Sequence, residues 1–166
     1  LVARRVKIDP AKADSIYNAG VTRVHQHILI LTQDSSEAYK ARAKKKIEGL
    51  LAQAKAGGDF GALAKANSED PGSAADNGFL PPAEAKAWAA EFSEAGWKLA
   101  PGEISGVVTT TYGYHVLRRP TAAEALPRMT AAVTQLETRK VDSTYFAELN
   151  AEYGLKVEAE LGISVP

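Results

Sequence analysis

The stretch Val24-His25-Gln26-His27-Ile28-Leu29-Ile30-Leu31 places two histidines in a run that is otherwise mostly apolar and rich in β-branched residues. Such a run, predicted to extend over residues 22–31, is typical of a β-strand, in which successive side chains point to opposite faces of the sheet. One face of this strand carries His25, His27, Leu29 and Leu31, and the other carries Val24, Gln26, Ile28 and Ile30. Both histidines therefore lie on the same face.

The third histidine lies in a second run, Thr109-Thr110-Thr111-Tyr112-Gly113-Tyr114-His115-Val116-Leu117. This run contains the turn of a predicted hairpin, whose strands are residues 104–108 and 114–118. Between the two histidine-bearing runs is an acidic turn, Ser68-Glu69-Asp70-Pro71-Gly72. We predict that the first and last strands pair in one sheet and bring His27 and His115 together, with Asp70 close to them.

The chain between these runs has the pattern of helices. Residues 34–56 form a predicted helix in which Asp34 is the N-cap and Glu37 has the spacing of a capping box. Asp59 is the predicted N-cap of a shorter second helix. Pro82 can occupy the first turn of a third helix that continues to about residue 91. Trp88 and Phe92, four residues apart, would lie on one face of it.

Composition limits the classes of protein to be considered. The 166 residues are 45% hydrophobic and carry 20 basic and 20 acidic side chains, which is typical of a globular protein and argues against a nucleic-acid-binding protein. No apolar run is long enough to cross a bilayer, and the absence of cysteine excludes disulfides and thiolate chemistry. Met129 is the only methionine, so we expect the chain to be a processed product or a fragment.

The histidines admit two interpretations. In the first, His27 and His115 form a buried hydrogen-bonded pair. In the second, the His-x-His spacing of His25 and His27 marks a metal site that His115 and Asp70 would complete, a set that zinc accepts. No other feature of the sequence supports the metal site, and we predict neither a metal nor any other cofactor. The sequence also lacks a serine-hydrolase elbow and a phosphate-binding glycine loop.

Five segments in order, spread over nearly 100 residues, resemble the motifs of the parvulin family of peptidyl-prolyl cis–trans isomerases. They are His27-Ile28-Leu29, Gly58-Asp59-Phe60-Gly61-Ala62-Leu63-Ala64-Lys65, Ser68-Glu69-Asp70-Pro71-Gly72-Ser73-Ala74, Leu99-Ala100-Pro101-Gly102-Glu103-Ile104-Ser105 and Thr110-Thr111-Tyr112-Gly113-Tyr114-His115-Val116. The resemblance implies an α+β fold with a four-stranded antiparallel sheet and about four surrounding helices.

The same resemblance implies a set of site residues. The catalytic residues would be His27, Asp70 and His115, with Thr110 in their hydrogen-bond network. The residues lining the proline pocket would be Leu80, Trp88 and Phe92. The family often has methionine where this chain has Trp88, and some of its members have cysteine where it has Asp70.

One departure from the family and one missing feature bear on activity. The chain reads Asn77-Gly78-Phe79-Leu80-Pro81 where the family usually has Gly-Gly-Asp-Leu-Gly. Because Pro81 cannot donate a backbone hydrogen bond, we expect the strand pairing there to differ. The segment after the first strand, residues 31–34, lacks the basic cluster of phosphate-directed parvulins, so we expect no preference for phosphoserine before proline.

The function implied is therefore isomerisation of peptide bonds before proline, on unfolded or extended polypeptides, in the folding of exported proteins. The alternative is a module that keeps the parvulin fold but binds unfolded chains without useful catalysis, which Pro81 and an expected aromatic patch of Trp88, Phe92 and Trp97 would favour. The resemblance of the flanks to those in extracytoplasmic foldases implies a periplasmic or other extracytoplasmic location. We expect a domain at 23–119, an N-terminal helical extension at 1–22, and a C-terminal extension at 120–166 with a long helix from residue 127 to 153 and a strand at 155–161. The oligomeric state is left open.

Overall fold

The structure is a computed structural model that describes residue 20 and residues 22–33 and 36–132. The strands are β1 (Thr22–Arg23), β2 (Gln26–Leu31), β3 (Ala83–Glu84), β4 (Ile104–Thr109) and β5 (Gly113–Arg118), and the helices are α1 (Glu37–Lys55), α2 (Phe60–Asn67), α3 (Ala90–Lys98) and α4, which is helical over residues 122–132. Short 3-10 turns occupy Ala74–Asp76 and Ala85–Ala87. Within these residues, no helix is both long enough and apolar enough to span a bilayer.

The main sheet is antiparallel, with β5 between β2 and β4. In its register Leu29 lies opposite His115 and His27 lies opposite Leu117. Partners in a register share a face, so both histidines are on one face of the sheet. The predicted pairing of the two histidine-bearing runs, and the hairpin that contains the second, are confirmed.

The outer edge of β2 is covered by loop segments rather than by a full fourth strand. Gln26 forms an isolated bridge with Phe79. Further along the edge, the amide of Leu29 donates to the Ser68 hydroxyl at 3.0 Å, and the amide of Glu69 donates to the carbonyl of Leu29 at 2.8 Å. The α+β class is confirmed, but the strands form a three-stranded sheet and a separate β1–β3 pair instead of one four-stranded sheet.

Helices α1 and α2 cover the sheet face opposite the histidines. The apolar stripe of α1 includes Ala43, Ile47, Leu50 and Ala54, all buried. These side chains pack with Ile28, Ile30 and Val116, which point away from the histidine face, and with Phe60 and Ala64 of α2. One face of the sheet is thereby filled by the core, which leaves the other face to carry the polar side chains of the site.

Helix α1 begins two residues later than the capping-box prediction requires. Its N-cap is Ser36, whose hydroxyl accepts from the amide of Tyr39 at 3.3 Å. Asp34 lies outside the described residues, and the prediction that it caps the helix is wrong. For α2 the N-cap prediction is confirmed, since the carboxylate of Asp59 accepts from the amide of Ala62 at 3.0 Å.

The predicted third helix from Pro82 is also wrong. Ala83 and Glu84 are drawn into a strand because they pair with Arg23 and Thr22. A 3-10 turn follows, the backbone at Trp88 is extended, and the helix begins only at Ala90. The long-range pairing with β1, which local helix signals do not register, decides the conformation here.

Helix α4 begins at residue 122, five residues before the predicted start. The carboxylate of Glu124, in the first turn of the helix, accepts from the amide of Thr121 at 2.8 Å and from its hydroxyl at 2.7 Å. These hydrogen bonds give the donors at the start of the helix a partner. The remainder of the predicted C-terminal helix, the strand at 155–161 and the N-terminal extension fall mainly outside the described residues.

Two glycine substitutions are expected to change stability in opposite directions. At Gly113, φ is +152° and an added Cβ would meet the carbonyl oxygen of Ile30 at 2.1 Å. Gly113→Ala should therefore lower the free energy of unfolding by about 3 kcal/mol or more. Gly49, inside α1, has nothing within 4 Å of an added Cβ. Gly49→Ala should raise the free energy of unfolding by about 0.5–1 kcal/mol, because alanine restricts the unfolded chain.

Urea denaturation of both variants and of the unaltered chain measures these changes. Equal effects at the two positions would contradict the account of the β2–β5 register, which requires the two backbones to approach closely at Gly113.

Candidate active site

His27 is the central side chain of the site. It lies on β2 and is 5% exposed. Its Nε2 atom is 2.8 Å from Oδ2 of Asp70 and 2.9 Å from the hydroxyl of Ser73. The strand therefore fixes the imidazole, and the turn that follows α2 supplies two oxygen partners to one of its nitrogens.

Asp70 is held by its own turn as well as by His27. The amide of Gly72 donates to Oδ1 at 3.1 Å, the Ser73 hydroxyl donates a short hydrogen bond to Oδ2, and the carbonyl of Asp70 accepts from Ala74 at 3.0 Å. This is the geometry in which an aspartate side chain closes a turn on itself. Sequence reasoning missed Ser73. The signal was its position three residues after Asp70 in a turn-forming segment.

His115 completes the network from the neighbouring strand. Its Nδ1 atom is 3.4 Å from Nδ1 of His27, and the two rings are nearly parallel with centroids 5.6 Å apart. Its Nε2 atom is 2.8 Å from the hydroxyl of Thr110, which also accepts from the amide of Tyr112 at 3.2 Å. All four residues named as catalytic therefore belong to one connected chain of hydrogen bonds.

The ionised carboxylate of Asp70 determines which nitrogen of each imidazole carries a proton. An ionised Asp70 can only accept, so Nε2 of His27 carries the proton and its Nδ1 is a lone pair. That lone pair can accept only if Nδ1 of His115 carries a proton, which leaves Nε2 of His115 to accept from the Thr110 hydroxyl. Every donor then points toward the carboxylate.

The ionisable groups have pKa values that suit this arrangement. Burial lowers the pKa of His27, although the hydrogen bond and charge of Asp70 oppose the change. Burial, with the neighbouring His27, lowers the pKa of His115 to about 4. For Asp70, burial raises the pKa, but the hydrogen bonds from Ser73, His27 and the Gly72 amide outweigh it and leave the pKa below its usual value. At neutral pH the site thus holds one carboxylate and two neutral imidazoles.

A cavity of about 580 Å³ opens onto these side chains. The three predicted pocket residues, Leu80, Trp88 and Phe92, all line it. The ring of Phe92 stands edge-on to both imidazoles, with centroids 5.8 Å from His27 and 5.6 Å from His115. The ring of Trp88, which also lines the cavity, has its centroid 5.6 Å from that of Phe92. An apolar slot therefore borders the polar network directly.

Pro81 also lines the cavity, and it lies at a change of register. Around Phe79 the pairing is regular, since the amide of His27 donates to the carbonyl of Gly78 at 2.8 Å and the amide of Leu80 donates to the carbonyl of His25 at 2.9 Å. Arg23 and Gln26 are three positions apart in the chain, but their partners, Ala83 and Phe79, are four positions apart. This difference makes the pairing irregular between Phe79 and Ala83, and proline is tolerated at such irregularities because it cannot donate to a regular ladder.

The structure does not bring His25 into the site. Its ring is buried 4.9 Å from that of Trp97, with Nε2 3.1 Å from the carbonyl of Gly96. In the part of the chain that the structure describes, no three His, Cys, Asp or Glu side chains are arranged to hold a metal ion. The four ligands of the metal interpretation are therefore not brought together, because His25 contacts Gly96 and Trp97 instead. For the same reason Trp97 does not extend the aromatic wall of Trp88 and Phe92.

Comparison with known proteins gives one family and a consistent set of relatives. Residues 27–120 match the family described as "Rotamase: PPIC-type PPIASE domain". A protein named Chaperone SurA from Bordetella pertussis is 38% identical over 93 residues, covering 56% of this chain and 18% of that protein. Chaperone SurA from Pseudomonas fluorescens Pf-5 is 39% identical over 123 residues, covering 70% and 28%. Foldase protein PrsA from Geobacillus kaustophilus is 38% identical over 92 residues, covering 55% and 29%.

Solved structures show the same fold. A crystal structure of a PpiC-type peptidyl-prolyl cis-trans isomerase domain has a TM-score of 0.55 at 24% identity and covers 61% of this chain and 92% of its own. PrsA from Bacillus subtilis has a TM-score of 0.54 at 22% identity and covers 93% and 58%. The chain spans less than a third of the length of the curated relatives given above.

The proton order can be read by nitrogen NMR of the imidazoles. At pH 7 we expect His27 to be protonated at Nε2 and His115 at Nδ1. Asp70→Ala removes the final acceptor, so both rings should then exchange between tautomers. His25 is an internal control, since its Nε2 proton faces the Gly96 carbonyl and should not respond. The opposite tautomers in the unaltered chain would contradict the assignment.

Acidification is expected to weaken folding through the buried histidines. Burial lowers the pKa of both His25 and His115 from 6.5 to about 4. Between pH 6.5 and about pH 4 these histidines are protonated in the unfolded chain but remain neutral in the folded chain. The free energy of unfolding is therefore highest at neutral pH and falls as the pH drops from 6.5 toward 4. Each histidine contributes a slope of up to about 1.4 kcal/mol per pH unit.

Urea denaturation at pH 7, 6 and 5 tests this dependence. His115→Gln keeps a hydrogen-bonding side chain but removes one titrating group, so its slope should be shallower by about one proton. A free energy of unfolding that is equal at pH 7 and pH 5 would show that these histidines are not protected from protonation.

Proposed function

The chain belongs to the family of PPIC-type peptidyl-prolyl isomerase domains, and we propose that its cavity isomerises peptide bonds before proline in unfolded or extended polypeptides. The observation that carries this proposal is a largely apolar cavity lined also by the Asp70 carboxylate, which is bonded to His27, which in turn contacts His115. We propose that His27, Asp70, Thr110 and His115 are the catalytic set and that Leu80, Trp88 and Phe92 bind the proline.

The reaction needs stabilisation of a twisted amide rather than bond-making chemistry. Rotation about the peptide C–N bond faces a barrier of about 18–20 kcal/mol, because resonance gives the bond double-bond character. Before proline the two end states differ by only about 0.5–1 kcal/mol, yet they exchange in tens of seconds or more. A site that holds one side of the bond and favours the twisted state therefore suffices, and the proposal requires no cofactor.

The apolar slot binds the proline ring and so anchors one side of the peptide bond. A proline ring between Leu80, Trp88 and Phe92 would be removed from water, which fixes the nitrogen side of the bond while the carbonyl side turns. Phe92 is 4% exposed and packs against both imidazoles, so its ring cannot yield easily. The position of the bound proline relative to the polar network is therefore set by one rigid side chain.

The negative charge of Asp70 supplies the electrostatic part of the mechanism. In the planar amide the carbonyl oxygen carries partial negative charge, and twisting the bond reduces that charge. An ionised carboxylate beside the oxygen raises the energy of the planar form more than that of the twisted form, which lowers the barrier between them. His27 and His115 remain neutral in this mechanism and hold Asp70 in place through the hydrogen-bond chain.

The surroundings of the cavity favour an extended, unphosphorylated polypeptide. Among the described residues that line it there is no lysine or arginine, so a phosphate group would meet only the charge of Asp70. The histidine-bearing face continues along β2 to Leu31, which is 38% exposed and lies opposite Gly113. Next to them Tyr112 is 56% exposed. This open apolar shelf would accommodate residues that flank the proline.

The place of this activity is proposed from the relatives. Their names, chaperone and foldase, support a role in protein folding. We propose that the chain acts on exported proteins in the periplasm or another extracytoplasmic space, with residues 23–119 as the catalytic domain. The names equally support the second candidate, a module that binds unfolded polypeptides without useful catalysis.

Isomerisation of a short proline peptide, followed by NMR exchange, separates the two candidates. Asp70→Asn keeps the size of the side chain but removes its charge, so we expect kcat/KM to fall by about tenfold or more, mainly through kcat. The double variant Asp70→Ala with His115→Ala should lose at least as much. Glu94→Gln, which removes one charge from an exposed position of α3, is the matched control and should leave the rate unchanged.

A rate that is unchanged in the double variant would show that this assignment of the catalytic set is wrong. Peptide binding by the unaltered chain with no acceleration above the uncatalysed exchange would support the binding module instead.

A further inference from the structure

Arg128 joins helix α4 to the turn that carries Asp70. It lies eight residues beyond the family match, which ends at residue 120. Its guanidinium makes two hydrogen bonds to the carboxylate of Asp76, at 2.5 Å from Nη1 to Oδ2 and at 2.8 Å from Nη2 to Oδ1. The same guanidinium lies 3.7 Å from the ring centroid of Phe79. One side chain thus engages two residues of the turn, with the planar geometry that favours arginine over lysine.

The two residues that Arg128 engages are bonded to the interior of the site. The amide of Asp76 donates to the carbonyl of Ser73 at 2.9 Å, and the amide of Phe79 donates to the carbonyl of Asp76 at 3.0 Å. The hydroxyl of Ser73 contacts both Asp70 and Nε2 of His27. The turn from residue 70 to residue 79 is therefore held on its inner side by the site and on its outer side by Arg128.

The helix that carries Arg128 has independent anchors. Ala125 and Met129 pack in a buried cluster with Val24, and the partly buried Phe79 lies against it. At its first turn, Glu124 makes two hydrogen bonds to Arg118 of β5, at 2.9 and 3.0 Å. These contacts fix α4 to the sheet. Arg128 therefore holds the turn in place relative to the sheet.

We propose that Arg128 is a positioning residue, which holds the 70–79 turn in the geometry where Ser73, Asp70 and His27 bind one another. It acts through Asp76 and Phe79 and does not touch the substrate. The functional unit thus extends past the family's residues into α4. This inference rests on the proposed function for its kinetic consequence, but not for its structural one.

The test compares two arginine–carboxylate contacts of the same helix in the full chain. Arg128→Gln breaks the contact with the turn, and Glu124→Gln breaks the contact with β5. Below the melting temperature, Arg128→Gln should lower kcat/KM three- to tenfold through kcat, while Glu124→Gln should lower the melting temperature without changing kcat. Asp76→Asn should reproduce the loss, and the double variant with Arg128→Gln should lose no more than either alone.

Imidazole NMR supplies a readout that is independent of turnover. In Arg128→Gln the signals of His27 and His115 should shift and show mixed tautomers, whereas those of His25 should stay in place. If the unaltered chain proves inactive, the proposed function fails while this measurement still tests the role of Arg128. Unchanged signals of His27 and His115, or an equal kinetic loss in Glu124→Gln, would overturn the inference.

Discussion

The antiparallel pairing of β2 with β5 is the constraint on which the site depends. It joins residues that are 88 positions apart in the chain, and its register puts His27 and His115 on the same face. A slip of one residue would turn one of the two strands over and separate the rings. Gly113 secures the register, because only a residue without a side chain allows the carbonyl of Ile30 to lie so close. The imidazole pair is thus a consequence of backbone hydrogen bonding and of one glycine.

The electrostatic character of the site follows from where that pairing places the rings. Both imidazoles are buried between the sheet and Phe92, so the charged form of either is disfavoured. Asp70 is less buried and collects several donors, so it stays ionised. Burial and hydrogen bonding therefore divide the roles between neutral and charged groups, and no lysine or arginine is among the described residues that line the cavity. The ionised Asp70 lines the same cavity as Leu80, Trp88 and Phe92, and its hydrogen-bond donors fix its position there.

The sequence predicts the two histidine-bearing strands and their pairing because alternation along a strand is a local signal. The shared face of His27 and His115 depends on the register, which the structure supplies. The roles of the site residues came from the resemblance to the parvulin motifs. Contacts between distant segments could not be predicted in the same way. Trp88 and Phe92 were expected on one helix, yet Trp88 is extended and only Phe92 is helical, because β3 pairs with β1 just upstream. Their ring centroids are still 5.6 Å apart, because Trp88 packs against the cluster that contains Phe92 without helical spacing between them. Ser73 and Arg128 were missed because their roles depend on partners from other elements.

Pro81 stands where the resemblance to the parvulin motifs implies glycine, and its surroundings illustrate how pairing between distant segments accommodates a local departure. A proline inside a regular strand would remove a ladder hydrogen bond, but the bonds beside this position are made by Gly78 and Leu80. The register then shifts by one residue between Phe79 and Ala83, so Pro81 lies in an irregular part of the pairing, where proline is tolerated. The proline ring instead faces the cavity, where it adds apolar surface next to Leu80 and Trp88. Pro81 consequently contributes to the wall of the cavity, while the regular pairing of this segment with β2 is made by its neighbours.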